Sequence, residues 1–261
     1  MVEDMAPIKI VQFPYLSDNY GILLHDEDSQ QTIAIDAGDA DAYNHILQSR
    51  GWILSQIWVT HHHWDHTDGI KELYQRWKCE VIGPKAHSQA PIAHLSHGLR
   101  AGDTLQFGNS LVQILHTPGH TLDMINYYFP EEKILFSGDT LFSLGCGRVF
   151  EGDMDMMYHS LCQFLTLPDD ISIYCSHEYT RANGRFALTV DAENQDLISR
   201  MSEVEKLLDA GQPTIPTNLG IEKKTNPFLR TSDSSIRKKH GLENASASDV
   251  FAALRTAKDN F

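Results

Sequence analysis

The sequence predicts an α/β domain over residues 1–177, followed by a small, mostly helical segment over 178–261. Three observations carry this. Short apolar runs alternate with turn residues and helical patterns as far as Cys175, as strands interleaved with helices do. After His177 the strand signals fade and helical spacing takes over. The 261 residues are 41% hydrophobic and 21% charged, enough apolar material for a sizeable core and too much for disorder.

The elements follow in order. Segments 8–13, 20–25 and 32–35 read as successive strands, with Ser17-Asp18-Asn19 and Asp26-Glu27-Asp28-Ser29 as turns. Asp39 can cap a helix over 40–50, and Gly51 suits the left-handed position that closes one. Residues 56–59 form an apolar strand running into a histidine-rich loop, and a helix over 69–77 follows. Segments 105–107 and 111–115 flank Gly108-Asn109, a two-residue hairpin turn. A second hairpin joins 124–129 to 133–136 around Pro130-Glu131-Glu132. A helix over 153–165 and a strand over 171–175 complete the first domain. In the second, 193–210 has helical spacing through Leu197, Met201, Val204, Leu207 and Leu208, closed by Gly211. A last helix covers 249–257, with Ser248 near its start.

The net charge of −14 is uneven. Eight Lys/Arg against five Asp/Glu leave +3 in residues 221–261, so residues 1–220 carry −17. Such a chain repels phosphate backbones and anionic membranes, so neither nucleic acid nor membrane is an expected partner. No run approaches the roughly 18 apolar residues of a membrane span. The acidic start, Met1 to Met5, precedes no apolar stretch, so no signal peptide is expected. Cys79, Cys146, Cys162 and Cys175 form no C-x-x-C pair, which suits reduced thiols in a reducing compartment. The expectation is a soluble, cytoplasmic monomer.

Four stretches supply candidate metal ligands: His61-x-His63-x-Asp65-His66, His120 in Thr117-Pro118-Gly119-His120-Thr121, Asp139 in Ser137-Gly138-Asp139-Thr140, and His177 in Ser176-His177-Glu178. Each follows an expected strand, and strand ends on one sheet face can converge. Alone, each has an ordinary explanation: a surface His-x-His, a turn histidine, an N-cap aspartate, a buried histidine bonded to backbone. Together they do not. Seven imidazole and carboxylate donors exceed the four of a closed structural zinc site. They suit two divalent ions sharing a carboxylate and a water, whose pKa two ions lower enough to give hydroxide near pH 7. The donor chemistry admits zinc, iron or manganese, with zinc first. His62 is assigned no metal. His25, His45, His87, His94, His97, His116, His159 and His240 read as structural or surface.

These motifs resemble the metallo-β-lactamase superfamily and, within it, the hydroxyacylglutathione hydrolase (glyoxalase II) family. The stretches that carry the closer likeness are 60–66, 117–121, 137–142, 145–152 and 177–180, with Asn226-Pro227-Phe228-Leu229-Arg230 and Arg255-x-x-Lys258-Asp259 in the C-terminal part. The resemblance implies an αββα sandwich for the first domain. It puts His61, His63 and His120 on one metal, Asp65, His66 and His177 on the other, and Asp139 between them. It implies that a metal-bridging hydroxide, oriented by Asp65, attacks the thioester of S-(2-hydroxyacyl)glutathione, as in the second step of methylglyoxal detoxification. It puts the glutathione moiety against Arg148, Val149, Phe150, Tyr179, Arg255 and Lys258.

Three positions depart from the family pattern. Arg148 stands where many members have Lys, Phe150 where some have Tyr, and Asp123 where a small residue is common. The competing readings are a one-iron glutathione-persulfide dioxygenase, another hydrolase of the same fold such as a β-lactamase or RNase, and a non-enzymatic zinc protein. The seven donors, the −17 charge and the C-terminal extension disfavour them.

Overall fold

The computed structural model describes residues 8–85 and 91–261. His87, read above as structural or surface, lies outside them. The chain separates into two compact units. One holds Met1–His116 and Asp123–Glu132, the other Thr117–Leu122 and Lys133–Phe261.

The first unit contains β1 (Lys9–Tyr15), β2 (Asn19–His25), β3 (Thr32–Ile35), α1 (Ala40–Arg50), β4 (Gln56–Trp58), α2 (Trp64–Thr67), α3 (Ile70–Trp77), β5 (Glu80–Pro84), β6 (Leu95–Leu99), β7 (Thr104–Phe107), β8 (Ser110–His116) and β9 (Ile125–Phe129). A six-stranded sheet runs in the order β1-β2-β3-β4-β5-β6. Its first three strands are antiparallel and the rest join in parallel. Strands β7, β8 and β9 form an antiparallel ladder. The parallel pairing of β3 with β4 brings the loops after both strands to one sheet edge, the usual place for a site in such sheets. Under the sheet, Phe13, Tyr43, Leu47, Ile57, Ile70, Leu73 and Val81 share one buried cluster.

Helix α1 forms where expected. Asp39 accepts from the amides of Asp41 and Ala42, and Gly51, at φ 67°, donates to Leu47 O and Gln48 O. Strands β5 and β6 were not expected. Glu80–Pro84 ends in Gly83-Pro84, which reads as a breaker, and Leu95–Leu99 has a polar, exposed centre. Partners in the sheet decide both, since a strand gains its hydrogen bonds only there.

The second unit contains β10 (Ile134–Gly138), β11 (Leu141–Phe142), β12 (Gly145–Cys146), α4 (Met154–Leu165), β13 (Ser172–Cys175), α5 (Thr180–Val190), α6 (Gln195–Asp209), β14 (Thr217–Asn218), α7 (Leu219–Thr225), α8 (Ser234–Lys239) and α9 (Ala247–Asp259). The strands of the second expected hairpin are thus present as β9 and β10, one in each unit. Strand β10 pairs in parallel with β13, β13 pairs antiparallel with β14, and β11 and β12 make a two-rung hairpin. Helix α9 packs on α4, and α6 on α5. Ser246, three residues before the expected start, caps α9 in a reciprocal box with Asp249.

Helix α5 was missed because Asn183-Gly184 reads as a turn. The glycine is there for contact instead. A Cβ on Gly184 would stand 1.9 Å from Met201 Sδ, so the glycine leaves room for the Met201 side chain between α5 and α6. Among the described residues no helix is long and apolar enough to cross a membrane.

Candidate metal centre

In the first unit the ligand loop follows β4, and its histidines are oriented from behind. Asp36, at the end of β3, is the hub. Its Oδ1 accepts from Thr60 N at 2.7 Å, and its carboxylate receives the Thr60 hydroxyl at 2.9 and 3.1 Å. His66 Nδ1–H donates to Asp36 Oδ2 at 2.8 Å, and His61 Nδ1–H donates to Thr60 Oγ1 at 2.9 Å. One buried carboxylate therefore fixes the tautomer of two imidazoles, one directly and one through Thr60, and turns Nε2 of each away from it.

Of two further distances, one falls in the range for donors sharing an ion and the other is shorter. His61 Nε2 lies 3.0 Å from His63 Nδ1, and His66 Nε2 lies 3.3 Å from Asp65 Oδ2. Two donors on one tetrahedral ion, each about 2.0–2.2 Å from it, stand about 3.3–3.6 Å apart. The loop is clamped to its neighbours: Ala37 N donates to His66 O at 2.7 Å and Gly69 N to Ala37 O at 2.9 Å. A Cβ on Gly38 would lie 1.9 Å from Asp65 O, so the loop after β3 must be glycine there.

Asp123, the acidic departure, forms a pair. Its Oδ1 accepts from His62 Nδ1 at 2.9 Å, with the Asp123 side chain buried. The negative charge left unexplained by the sequence thus holds the one histidine of the cluster assigned no metal.

In the second unit Asp139 follows β10. Its Oδ2 stands 3.4 Å from His120 Nε2 and 3.3 Å from His177 Nε2. His120 Nδ1–H donates to Arg148 O at 2.8 Å, which leaves Nε2 facing Asp139. The His120 carbonyl accepts from the amides of Phe150 and Glu151, both at 3.3 Å. The ligand loop and the 148–151 segment are thus one hydrogen-bonded piece. His177 stacks on Tyr179 with ring centroids 4.7 Å apart and an interplanar angle of 1°.

The expected substrate residues divide by exposure. Arg148 and Phe150 are exposed, Val149 is half-buried, and Tyr179 is at the exposed margin. Phe150 sets its edge against His120 at 5.2 Å. Lys258 is half-buried over the rings of Phe186 and Phe261. Burial, aided by the charges of Arg255 and Arg148, holds its ammonium below the ordinary lysine range.

Arg255, expected against the glutathione moiety, is buried. Only 3% exposed, it donates from Nη1 to Cys146 O at 2.8 Å and from Nη2 to Asp259 Oδ1 at 2.9 Å. That Asp259 oxygen lies 3.7 Å from Arg148 Nε. In this arrangement Arg255 holds the backbone next to Arg148.

Sequence reasoning missed Asp36, Thr60 and Asn19 as hydrogen-bond partners of the candidate ligands. An aspartate ending an apolar strand, as in Ile35-Asp36-Ala37-Gly38, was the available signal for the first.

Residues 23–177 match the model of the metallo-β-lactamase superfamily, and residues 178–261 match that of the hydroxyacylglutathione hydrolase C-terminus. A protein of Bartonella quintana (strain Toulouse) named hydroxyacylglutathione hydrolase is 48% identical over 252 residues, 97% of this chain and 99% of its own. One of the same name from Bradyrhizobium sp. (strain ORS 278) is 48% identical over 247 residues, 95% of this chain and 96% of its own. This chain belongs to the hydroxyacylglutathione hydrolase family. Among solved structures, ETHE1 from Myxococcus xanthus is similar with TM-score 0.64 at 25% identity, covering 97% of each chain. BLEG-1 B3 metallo-β-lactamase gives TM-score 0.63 at 21% identity, covering 85% of this chain and 99% of that one. The fold class is therefore the metallo-β-lactamase α/β fold with a family-specific, mostly helical C-terminal part, and the His/Asp clusters sit in a scaffold of that class.

Proposed function

We propose that the protein is a binuclear metal-dependent thioester hydrolase that converts S-(2-hydroxyacyl)glutathione to glutathione and a 2-hydroxy acid, S-D-lactoylglutathione to D-lactate being the leading case. The observation that carries the metal pair is Asp139 Oδ2, 3.4 and 3.3 Å from the Nε2 atoms of His120 and His177. One carboxylate oxygen with two such neighbours suits a ligand shared between two ions. The family relatives, matching over nearly the whole chain, support the substrate.

In this reading His61, His63 and His120 would hold one ion and Asp65, His66 and His177 the other, with Asp139 available to both. Zinc is the ion proposed, with iron or manganese also suited to His/Asp donors. When bound, the two ions supply Lewis-acid polarisation of the thioester carbonyl and an acidified water. Asp65 is the residue that would orient such a water. Arg148 and Lys258 hold the carboxylates of glutathione, with Arg148 able to grip one bidentately. Val149, Phe150 and Tyr179 line the rest of the peptide's path, and Arg255 acts through the backbone beside Arg148. The leaving thiolate has a conjugate acid near pKa 8.5 in free cysteine, so it departs without a dedicated general acid. Segment 178–261 supplies the substrate contacts of Tyr179 and Lys258 and serves as the glutathione-binding domain. The four cysteines, none in a disulfide, suit a reducing, cytoplasmic setting, and the chain is read as a monomer.

Metal analysis of the purified protein, combined with hydrolysis of S-D-lactoylglutathione, tests this reading. Two ions per chain and release of free glutathione thiol are expected. Two ions without thioester hydrolysis would sink it, and oxygen uptake with a persulfide would favour the dioxygenase alternative.

A further inference from the structure

Residues 17–19 read as an ordinary turn in the sequence, yet the hairpin they close reaches the metal centre. Asn19, only 3% exposed, donates from Nδ2 to Asp65 Oδ2 at 2.9 Å. Across the same turn, Tyr15 donates from its hydroxyl to Asp65 O at 2.8 Å. Tyr15 and Asn19 are register partners at the tip of the β1–β2 ladder. One rung of that ladder therefore holds both the carboxylate and the carbonyl of a single residue.

The oxygen that Asn19 holds is the informative one. Asp65 Oδ2 is also the atom 3.3 Å from His66 Nε2, the spacing of two donors on one ion. A carboxylate oxygen has lone pairs enough to accept from an amide and bind a metal at once. An amide N–H on the second lone pair stops the carboxylate rotating about χ2. Asn is suited to the task, being neutral and a donor at fixed length. A buried lysine there would add a charge competing with the metal.

We propose that Asn19 is a positioning residue for the metal-binding carboxylate of Asp65, with Tyr15 fixing the Asp65 backbone, so that the β1–β2 hairpin sets the affinity of one of the two metal positions. This rests on the reading of Asp65 as a metal ligand. Partners behind metal ligands are generally worth about 10–100-fold in affinity.

The test measures zinc binding by competition with a chromophoric chelator, for the wild type and for Asn19→Leu, Asn19→Ala and the milder Asn19→Ser. The melting temperature of each metal-free protein is recorded alongside. In the wild type two ions bind. In the variants one ion keeps its affinity while the other binds about 10–100-fold more weakly, and the melting temperature gained on adding zinc shrinks. A purely structural role would instead lower the metal-free melting temperature and leave both affinities unchanged. That result, or variants matching the wild type throughout, overturns the inference while the two-metal reading stands. A wild type that binds fewer than two ions overturns the reading itself.

Discussion

Arg255 and Lys258 lie one helical turn apart on α9, and their surroundings give them different work. Arg255 is buried beneath its own hydrogen bonds and stacks its guanidinium 5.1 Å above the centre of the Phe228 ring. Removing it leaves Cys146 O and Asp259 without their donor and a void beside the ring. Arg255→Ala is therefore expected to cost about 2–4 kcal/mol in urea unfolding as well as raising KM. Arg255→Lys restores neither forked contact and should recover only part of the loss. Lys258→Ala should raise KM with a much smaller loss of stability, so the two single variants separate in a plot of KM against stability. Lys258 also titrates. Its amine is held below the ordinary 10.5 by burial first and by the charges of Arg255 and Arg148 next. It is charged below that depressed value and neutral above it. Substrate binding should therefore weaken as pH rises through a point below 10.5, and KM should climb there. In Lys258→Arg the guanidinium stays charged and that part of the climb disappears. The substrate's own groups are common to both profiles, so the difference between them isolates Lys258.

The small β11–β12 hairpin shows how an element too short to be seen in sequence is built from distant side chains. Glu222, on α7 and fully buried, accepts from Leu144 N at 2.7 Å, Thr217 Oγ1 at 2.6 Å and Asn226 Nδ2 at 3.1 Å. Asn226 in turn donates to Phe142 O and Gly145 O at 3.2 and 2.9 Å. The turn between Asp139 and Arg148 is thus fastened by two residues some 80 positions away in the chain. Glu222→Ala would strand three donors and should destabilise the protein by about 2–4 kcal/mol, read as a lower urea midpoint at unchanged slope. Burial raises the Glu222 carboxyl above its ordinary 4.5. The native state then holds its proton more tightly than the unfolded chain. Its contribution to stability is greatest in acid, falls as pH rises from about 4.5 through the raised value, and is flat above it. None of this hairpin was legible, because two-residue strands carry no period. Helix α1 was legible to its ends, because its signals are local: the Asp39 cap and Gly51. Strands β5 and β6 and helix α5 were hidden for the opposite reason, their positions being decided by sheet partners and by the α5–α6 contact at Gly184.

At the scale of the molecule, what could be read early was donor chemistry, and what could not was the support behind it. His61, His63, Asp65, His66, His120, Asp139 and His177 announce themselves because imidazole and carboxylate at such spacing have few other uses. Asp36, Thr60 and Asn19 are ordinary residues whose role depends on where β2, β3 and β4 end, and no local pattern encodes that. Their presence has a measurable consequence. A centre whose imidazoles are held by Asp36 and Thr60 is organised in the folded state alone, so ions bind the native chain far better than the unfolded one. At free ion concentrations about 100-fold above each dissociation constant, two ions together stabilise by roughly 5 kcal/mol. For a chain of this length that corresponds to roughly 10–20 °C in melting temperature. Stripping the ions with a chelator should abolish thioester hydrolysis and lower the melting temperature by about that amount. Adding back zinc should restore both, in proportion to the ions bound. Asp36→Asn should blunt the stabilisation, because a neutral amide no longer secures the Nδ1–H tautomers of His66 and, through Thr60, of His61. A chelated protein that melts where the metal-loaded one does would mean that the donors are organised for something other than holding ions in the native state.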